Sequence, residues 1–153
     1  VSVLNDADAF RKALFGLAVE RATAALPQTT QSALFTVAGG RVLVTSIVGE
    51  VTTVIQTQAN NTKIVSNPTT GTDVDLCAVL DISADQVGCL YGITGTFATA
   101  LVGANAGATV ACATPVVVPI GTIDLSCAAS NTGSVKWRIT YVPLDTGAVI
   151  TAA

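Results

Sequence analysis

From Ser32 onward the chain is cut into short runs rich in Val, Ile and Thr, separated by Gly, Asn and Pro. That punctuation constrains the fold more than any other feature, because β-branched residues suit a pleated surface and Gly, Asn and Pro suit the turns between strands. Extended runs are expected over 33–37, 41–56 and 63–65, with Gly39-Gly40 and Asn60-Asn61 as turns and a loop through Asn67-Pro68 and Gly71. The long 41–56 run is expected to bend or bulge at Gly49. Val74, Leu76, Ala78 and Leu80 alternate with Asp73, Asp75, Cys77 and Val79, the mark of a half-buried strand. Further strands are expected over 88–94, 96–101, 109–118, 120–127, 134–142 and 148–151; Pro115 suggests an edge or bulge in its run. Regular short strands of this kind point to an all-β antiparallel sandwich or barrel. Gly71 to Cys77 echoes Gly121 to Cys127, but matching their Asp-Leu pairs needs a one-residue slip, so no true repeat follows.

The first 26 residues read differently. Phe10, Leu14, Leu17 and Ala18 fall at i, i+4, i+7 and i+8, one face of an amphipathic helix. Asn5 or Asp6 is placed to cap it, Asp8 complements the helix dipole, and Pro27 ends it. The expected organisation is therefore a helical arm over 1–26 and a β-domain over 28–153. The arm either packs on its own domain or docks on a neighbouring chain, and Phe10, Leu14, Leu17 and Ala18 are the candidate contact residues.

Composition then excludes function classes. Half of the residues are hydrophobic and only 11% are charged, against about 25% in ordinary domains. Seven basic residues against ten acidic ones cannot make a broad basic surface, so no nucleic-acid partner is expected. The chain has no histidine, which removes Ser-His-Asp and Cys-His catalysis and histidine-ligated metal. The longest uncharged stretch, 86–123, is interrupted by Gly, Thr, Asn and Pro and does not read as a membrane span. Asp6 and Asp8 precede Arg11 and Lys12, unlike a signal peptide. A mean hydropathy of +0.63 with so little charge implies a surface covered by copies of itself or by another protein.

Candidate chemistry is thin. Cys77, Cys89, Cys112 and Cys127 contain no CxxC pair, which argues against a zinc ribbon. Cys77 and Cys127 each close an Asp-Leu strand phrase and form the candidate disulfide; the alternative is four reduced, buried thiols. Asp73, Asp75, Asp81 and Asp85 are the densest acidic group, and Asp73 and Asp75 would share a strand face. Such a pair serves calcium sites and glycosidases, but equally a solvated strand face. Trp137 alternates with Lys136 and Arg138, so a core-facing Trp under a basic outer face is expected rather than a stacking platform. No catalytic residue, cofactor or metal is assigned, and the chain reads as a non-enzyme.

Several phrases carry a resemblance. Leu34-Phe35-Thr36-Val37-Ala38-Gly39-Gly40-Arg41-Val42-Leu43-Val44, Thr72-Asp73-Val74-Asp75-Leu76-Cys77-Ala78, Gly121-Thr122-Ile123-Asp124-Leu125-Ser126-Cys127 and the segment with Lys136-Trp137 and Tyr141-Val142-Pro143-Leu144-Asp145 are among them. Together, over about 28–150, they resemble head decoration (cement) proteins of tailed double-stranded-DNA bacteriophages. The resemblance implies a homo-oligomer, in this class often a trimer, on the capsid exterior of a virion assembled in the bacterial cytoplasm, with the major capsid protein as partner. A carbohydrate- or receptor-binding β-module of a phage tail or neck is the alternative, and a small carboxylate enzyme is a third class.

Overall fold

The computed structural model describes residues 6–153 and shows a β-sandwich of two antiparallel sheets with one short helix before it. Helix α1 spans Ala7–Phe15. Eleven strands follow in chain order: β1 (Leu17–Ala25), β2 (Gln31–Ala38), β3 (Val42–Thr53), β4 (Asn61–Pro68), β5 (Val74–Asp75), β6 (Leu80–Asp81), β7 (Leu90–Gly92), β8 (Val116–Val118), β9 (Gly121–Cys127), β10 (Ser134–Pro143) and β11 (Val149–Ala152). The first sheet runs β1-β10-β3, and β7 and β8 both pair with the far side of β3. The second runs β11-β2-β9-β4, and β5 and β6 both pair with β4.

Alternation places the core. Val135, Trp137, Ile139 and Tyr141 of β10 are buried, and so are Val42, Val44, Ile47 and Val51 of β3. They meet Leu34, Phe35 and Val37 of β2, Ile64 of β4, and Ile123 and Leu125 of β9 in one cluster between the sheets. Each such side chain stabilises the fold by about 1.5–3 kcal/mol through area removed from water. Lys136 and Arg138 point outward, as the alternation predicts, and each is ion-paired across a strand: Lys136 to Glu50 at 3.1 Å and Arg138 to Glu20 at 2.5 Å.

The expected helix over 1–26 is corrected. It ends at Phe15, and residues 17–25 form an edge strand paired with β10 from Leu17↔Tyr141 to Ala25↔Ser134. Leu26 is buried, so the arm and the β-domain are not separated at Pro27. Ala22, Ala24 and Ala25 are good helix formers, but pairing to a central strand overrides local propensity.

Other boundaries shift too. The bend expected at Gly49 lies instead at Thr45-Ser46, where the register with β10 slips between Thr140↔Ser46 and Tyr141↔Val44. That bulge switches which residues face inward, from Val42 and Val44 to Ile47 and Val51. The continuous strand expected from Val74 to Leu80 is two short pairings, β5 and β6, with Leu76 and Cys77 buried between them. The strand expected over 96–101 is absent, and of 109–118 only β8 is regular. Here the backbone folds back on itself: a Cβ at Gly95, whose φ is +88°, would lie 1.8 Å from the Thr114 carbonyl oxygen.

All four cysteines are free and buried. The Cys77–Cys127 disulfide is therefore not formed. Both sulfurs lie against β4: Thr62 Oγ1 is 3.6 Å from Cys127 Sγ, and the Ile64 backbone N–H donates to Cys77 Sγ at 3.3 Å. Burial pushes both thiols up in pKa, so neither is an activated nucleophile.

Candidate interaction surface

Helix α1 begins because Asp6 caps it. The Asp6 carboxylate accepts from the backbone N–H of Asp8 at 2.9 Å and of Ala9 at 3.2 Å. Asn5, the other capping candidate, lies outside the described residues. On the next turn Lys12 Nζ sits 2.6 Å from Asp8, and this bonded ammonium holds the Asp8 carboxyl below the usual carboxylate range. The pair is fully exposed and counts for little in stability.

Gly16 ends the helix. Its φ of +90° suits glycine, its N–H bonds the Lys12 carbonyl at 2.9 Å, and a Cβ there would lie 2.1 Å from the Tyr141 carbonyl oxygen. The helix end is also tied to the β3 bulge. Thr45 Oγ1 donates to the Phe15 carbonyl at 2.7 Å and lies 2.7 Å from Thr140 Oγ1, which lies 2.6 Å from Ser46 Oγ. A carbonyl only accepts, so the hydroxyls run one way: Ser46 to Thr140 to Thr45 to Phe15.

The expected contact face is thereby split. Phe10 and Leu14 stay on the helix, while Leu17 and Ala18 lie on β1 beside Tyr141 and Thr140. All four are exposed, Leu14 at 59% of its free area, and α1 buries none of its residues. A cleft of about 740 Å³ separates the helix from the outer face of the first sheet. Asp8, Arg11, Lys12 and Phe15 line it from the helix side, and Glu20, Thr140 and Arg138 from the sheet side. Phe10 and Leu14 are not among its walls. The helix thus turns Asp8, Arg11 and Lys12, together with Phe15, toward its own domain and leaves Phe10 and Leu14 outside the cleft, whereas an ordinary surface helix buries its apolar residues.

Sequence reasoning missed the residues that extend this surface. On the outer face of the first sheet, Val142 pairs with Leu43, and Leu43 with Val117. Directly opposed residues share a face, so the three form an apolar row; Val142 and Val117 are exposed. Gly16 joins the row to the helix, since a Cβ there would lie 3.0 Å from Val142 Cγ2. The cue for the split was legible: Gly16 after a basic last turn is a helix stop.

The carboxylates do not assemble. Asp75 pairs with Lys63 at 2.6 Å, and Asp73 accepts from Gln31 at 3.2 Å. Asp81 accepts the backbone N–H groups of Asn60 and Ser83, which hold its carboxyl below the usual range. Asp85 is buried and accepts the Tyr91 hydroxyl at 2.5 Å; burial pushes its carboxyl up. Among the described residues, no three His, Cys, Asp or Glu side chains converge on a point where a metal ion could be held. No described helix is long and apolar enough to cross a membrane. Comparison with protein-family models, with curated proteins and with solved structures finds no match to this chain.

Proposed function

We propose that this protein is a virion structural protein, a trimeric decoration protein that binds the outside of a phage head and stabilises it without catalysing a reaction. The observation that carries the reading is the inverted helix: Phe10 and Leu14 face away from the domain that bears them. An ordered helix that exposes its apolar side has surface to bury on a partner. The sandwich supplies a rigid base, and the resemblance of its strand phrases to head decoration proteins supplies the class of partner, the major capsid protein. Several copies held together would attach through several weak contacts at once, and avidity would make that attachment firm.

The test is co-sedimentation of the full chain with undecorated heads of the phage that encodes it, followed by electron microscopy of the particles. Density on the head exterior in groups of three is the expected result. Density confined to the tail or neck, or a monomer that binds glycans and ignores heads, would replace this reading with the receptor-binding one.

A further inference from the structure

Asp124 sits where a carboxylate is least expected. Its neighbours in β9, Ile123 and Leu125, face the core, so alternation turns Asp124 to the outer face of the second sheet. It is nevertheless only 3% exposed. Two amides reach it there. Gln31 of β2 donates from Nε2 to Asp124 Oδ2 at 2.9 Å, and Asn67 of β4 donates from Nδ2 to the same oxygen at 3.1 Å. Gln31 Nε2 also donates to Asp73 Oδ2 at 3.2 Å. Strands β2 and β5 are separated by β9 and β4, so Gln31 and Asp73, which precedes β5, reach toward each other across the face. Two carboxylates thereby meet at one amide nitrogen.

Their charge is not balanced. Neither Asp73 nor Asp124 has an ion-pair partner among the described residues, and Lys63 on the same sheet is taken by Asp75 at 2.6 Å. Asp124 Oδ1 is buried and has no hydrogen-bond partner among the described residues. Burying a carboxylate is costly unless it is paired or binds a metal ion. The amides satisfy Oδ2 but bring no positive charge. What this cluster calls for is a cation.

We propose that Asp73 and Asp124 hold a calcium ion, with the side-chain oxygens of Gln31 and Asn67 completing the protein's share of the ligands. Each amide presents its oxygen after half a turn about its last side-chain bond. The donors are then all oxygen, and the two carboxylates balance a divalent charge. No third carboxylate is needed, because the amides take its place. Calcium accepts about six to eight oxygens in flexible arrangements, whereas magnesium demands a tighter octahedron and zinc prefers nitrogen and sulfur. Asp73 is exposed and gives the ion a way in, while Asp124 lies buried beneath. The bound ion ties together β2, β9, β4 and the segment leading into β5, four neighbouring pieces of one sheet.

The test uses the full-length chain, freed of metal with EDTA and titrated with calcium chloride in a phosphate-free buffer. Calorimetry should show saturable binding of one ion per chain, with a dissociation constant of about 0.1–1 mM. The thermal midpoint should rise by about 5 °C in about 10 mM calcium and much less in magnesium. Asp73→Asn, at an exposed position, should weaken binding about tenfold or more, and Asp124→Asn, which keeps an oxygen for both amide donors, should abolish it. If Asp124→Asn does not fold, the loss in Asp73→Asn carries the test. No saturable heat, an equal rise in magnesium, or a calcium response that survives in Asp73→Asn would overturn the site. None of these readouts depends on the capsid reading.

Discussion

Trp137 lies across Gly49, its directly opposed partner on the neighbouring strand, so closely that a Cβ at Gly49 would stand 2.8 Å from the indole ring. Gly49 is opposed on its other side by Tyr91, whose ring stacks on Trp137 with centroids 6.3 Å apart. The glycine is there for space, since Gly49 does not adopt a positive φ. Gly49→Ala should therefore lower stability by about 1–3 kcal/mol through overpacking. Urea unfolding followed by tryptophan fluorescence measures it, and an unchanged midpoint would contradict the packing argument.

Asp85 and Tyr91 set a pH dependence. Burial raises the folded-state pKa of Asp85 above its unfolded value. The stability this group contributes is full below the unfolded carboxylate pKa and is lost as pH rises through the folded one. Asp85→Asn keeps an acceptor for the Tyr91 hydroxyl and cannot ionise. It should flatten that part of the stability profile between acid and neutral pH, as read from urea midpoints across the range.

Tyr91→Phe tests the same pair from the other side. It removes the hydroxyl that Asp85 accepts at 2.5 Å and leaves a buried carboxylate short of a donor. A loss of about 1–3 kcal/mol at neutral pH is expected. Asp85→Asn combined with Tyr91→Phe should cost less than the two single losses added together, which a double-mutant cycle measures.

The thiols give a direct count. Cys77, Cys89, Cys112 and Cys127 are all free and buried. A thiol reagent should react slowly with the folded protein and titrate four groups after unfolding without reductant. Two groups instead of four would mean one bridge, and peptide mapping would show whether it joins Cys77 to Cys127.

Gly16 offers a test of how the helix is aimed. Its φ of +90° and the Tyr141 carbonyl leave no room for a side chain. Gly16→Val should cost about 1–3 kcal/mol in strain or release the helix from its position. Limited proteolysis near residue 16 distinguishes the two, because release exposes the peptide bond and strain alone does not.

The β-architecture was legible because its strands obey a period of two and its turns carry their own residues. Val135, Trp137 and Ile139 face inward and Lys136 and Arg138 outward, as alternation alone requires. Residues 17–25 were misread because their Ala-rich composition suits a helix, while the strand they form is dictated by β10, more than a hundred positions later. The stretches 96–101 and 109–115 were misread for the opposite reason. Their Val and Thr suit strands, but the backbone doubles back there: a Cβ at Gly95 would lie 1.8 Å from the Thr114 carbonyl oxygen, and one at Gly103 would lie 2.6 Å from the Leu90 carbonyl oxygen. Of the candidate site, the helical half was visible in the spacing of Phe10 and Leu14. The row Val142, Leu43 and Val117 was not, since it exists only through register between distant strands.

The outward face of α1 has a thermal consequence. Its burial is driven by the release of water from Ala, Phe and Leu, with no ion pair to be screened. Attachment through that face should loosen on cooling and tighten in sulfate, and it should barely respond to sodium chloride at moderate strength. Any contact made through it would be sturdier warm than on ice.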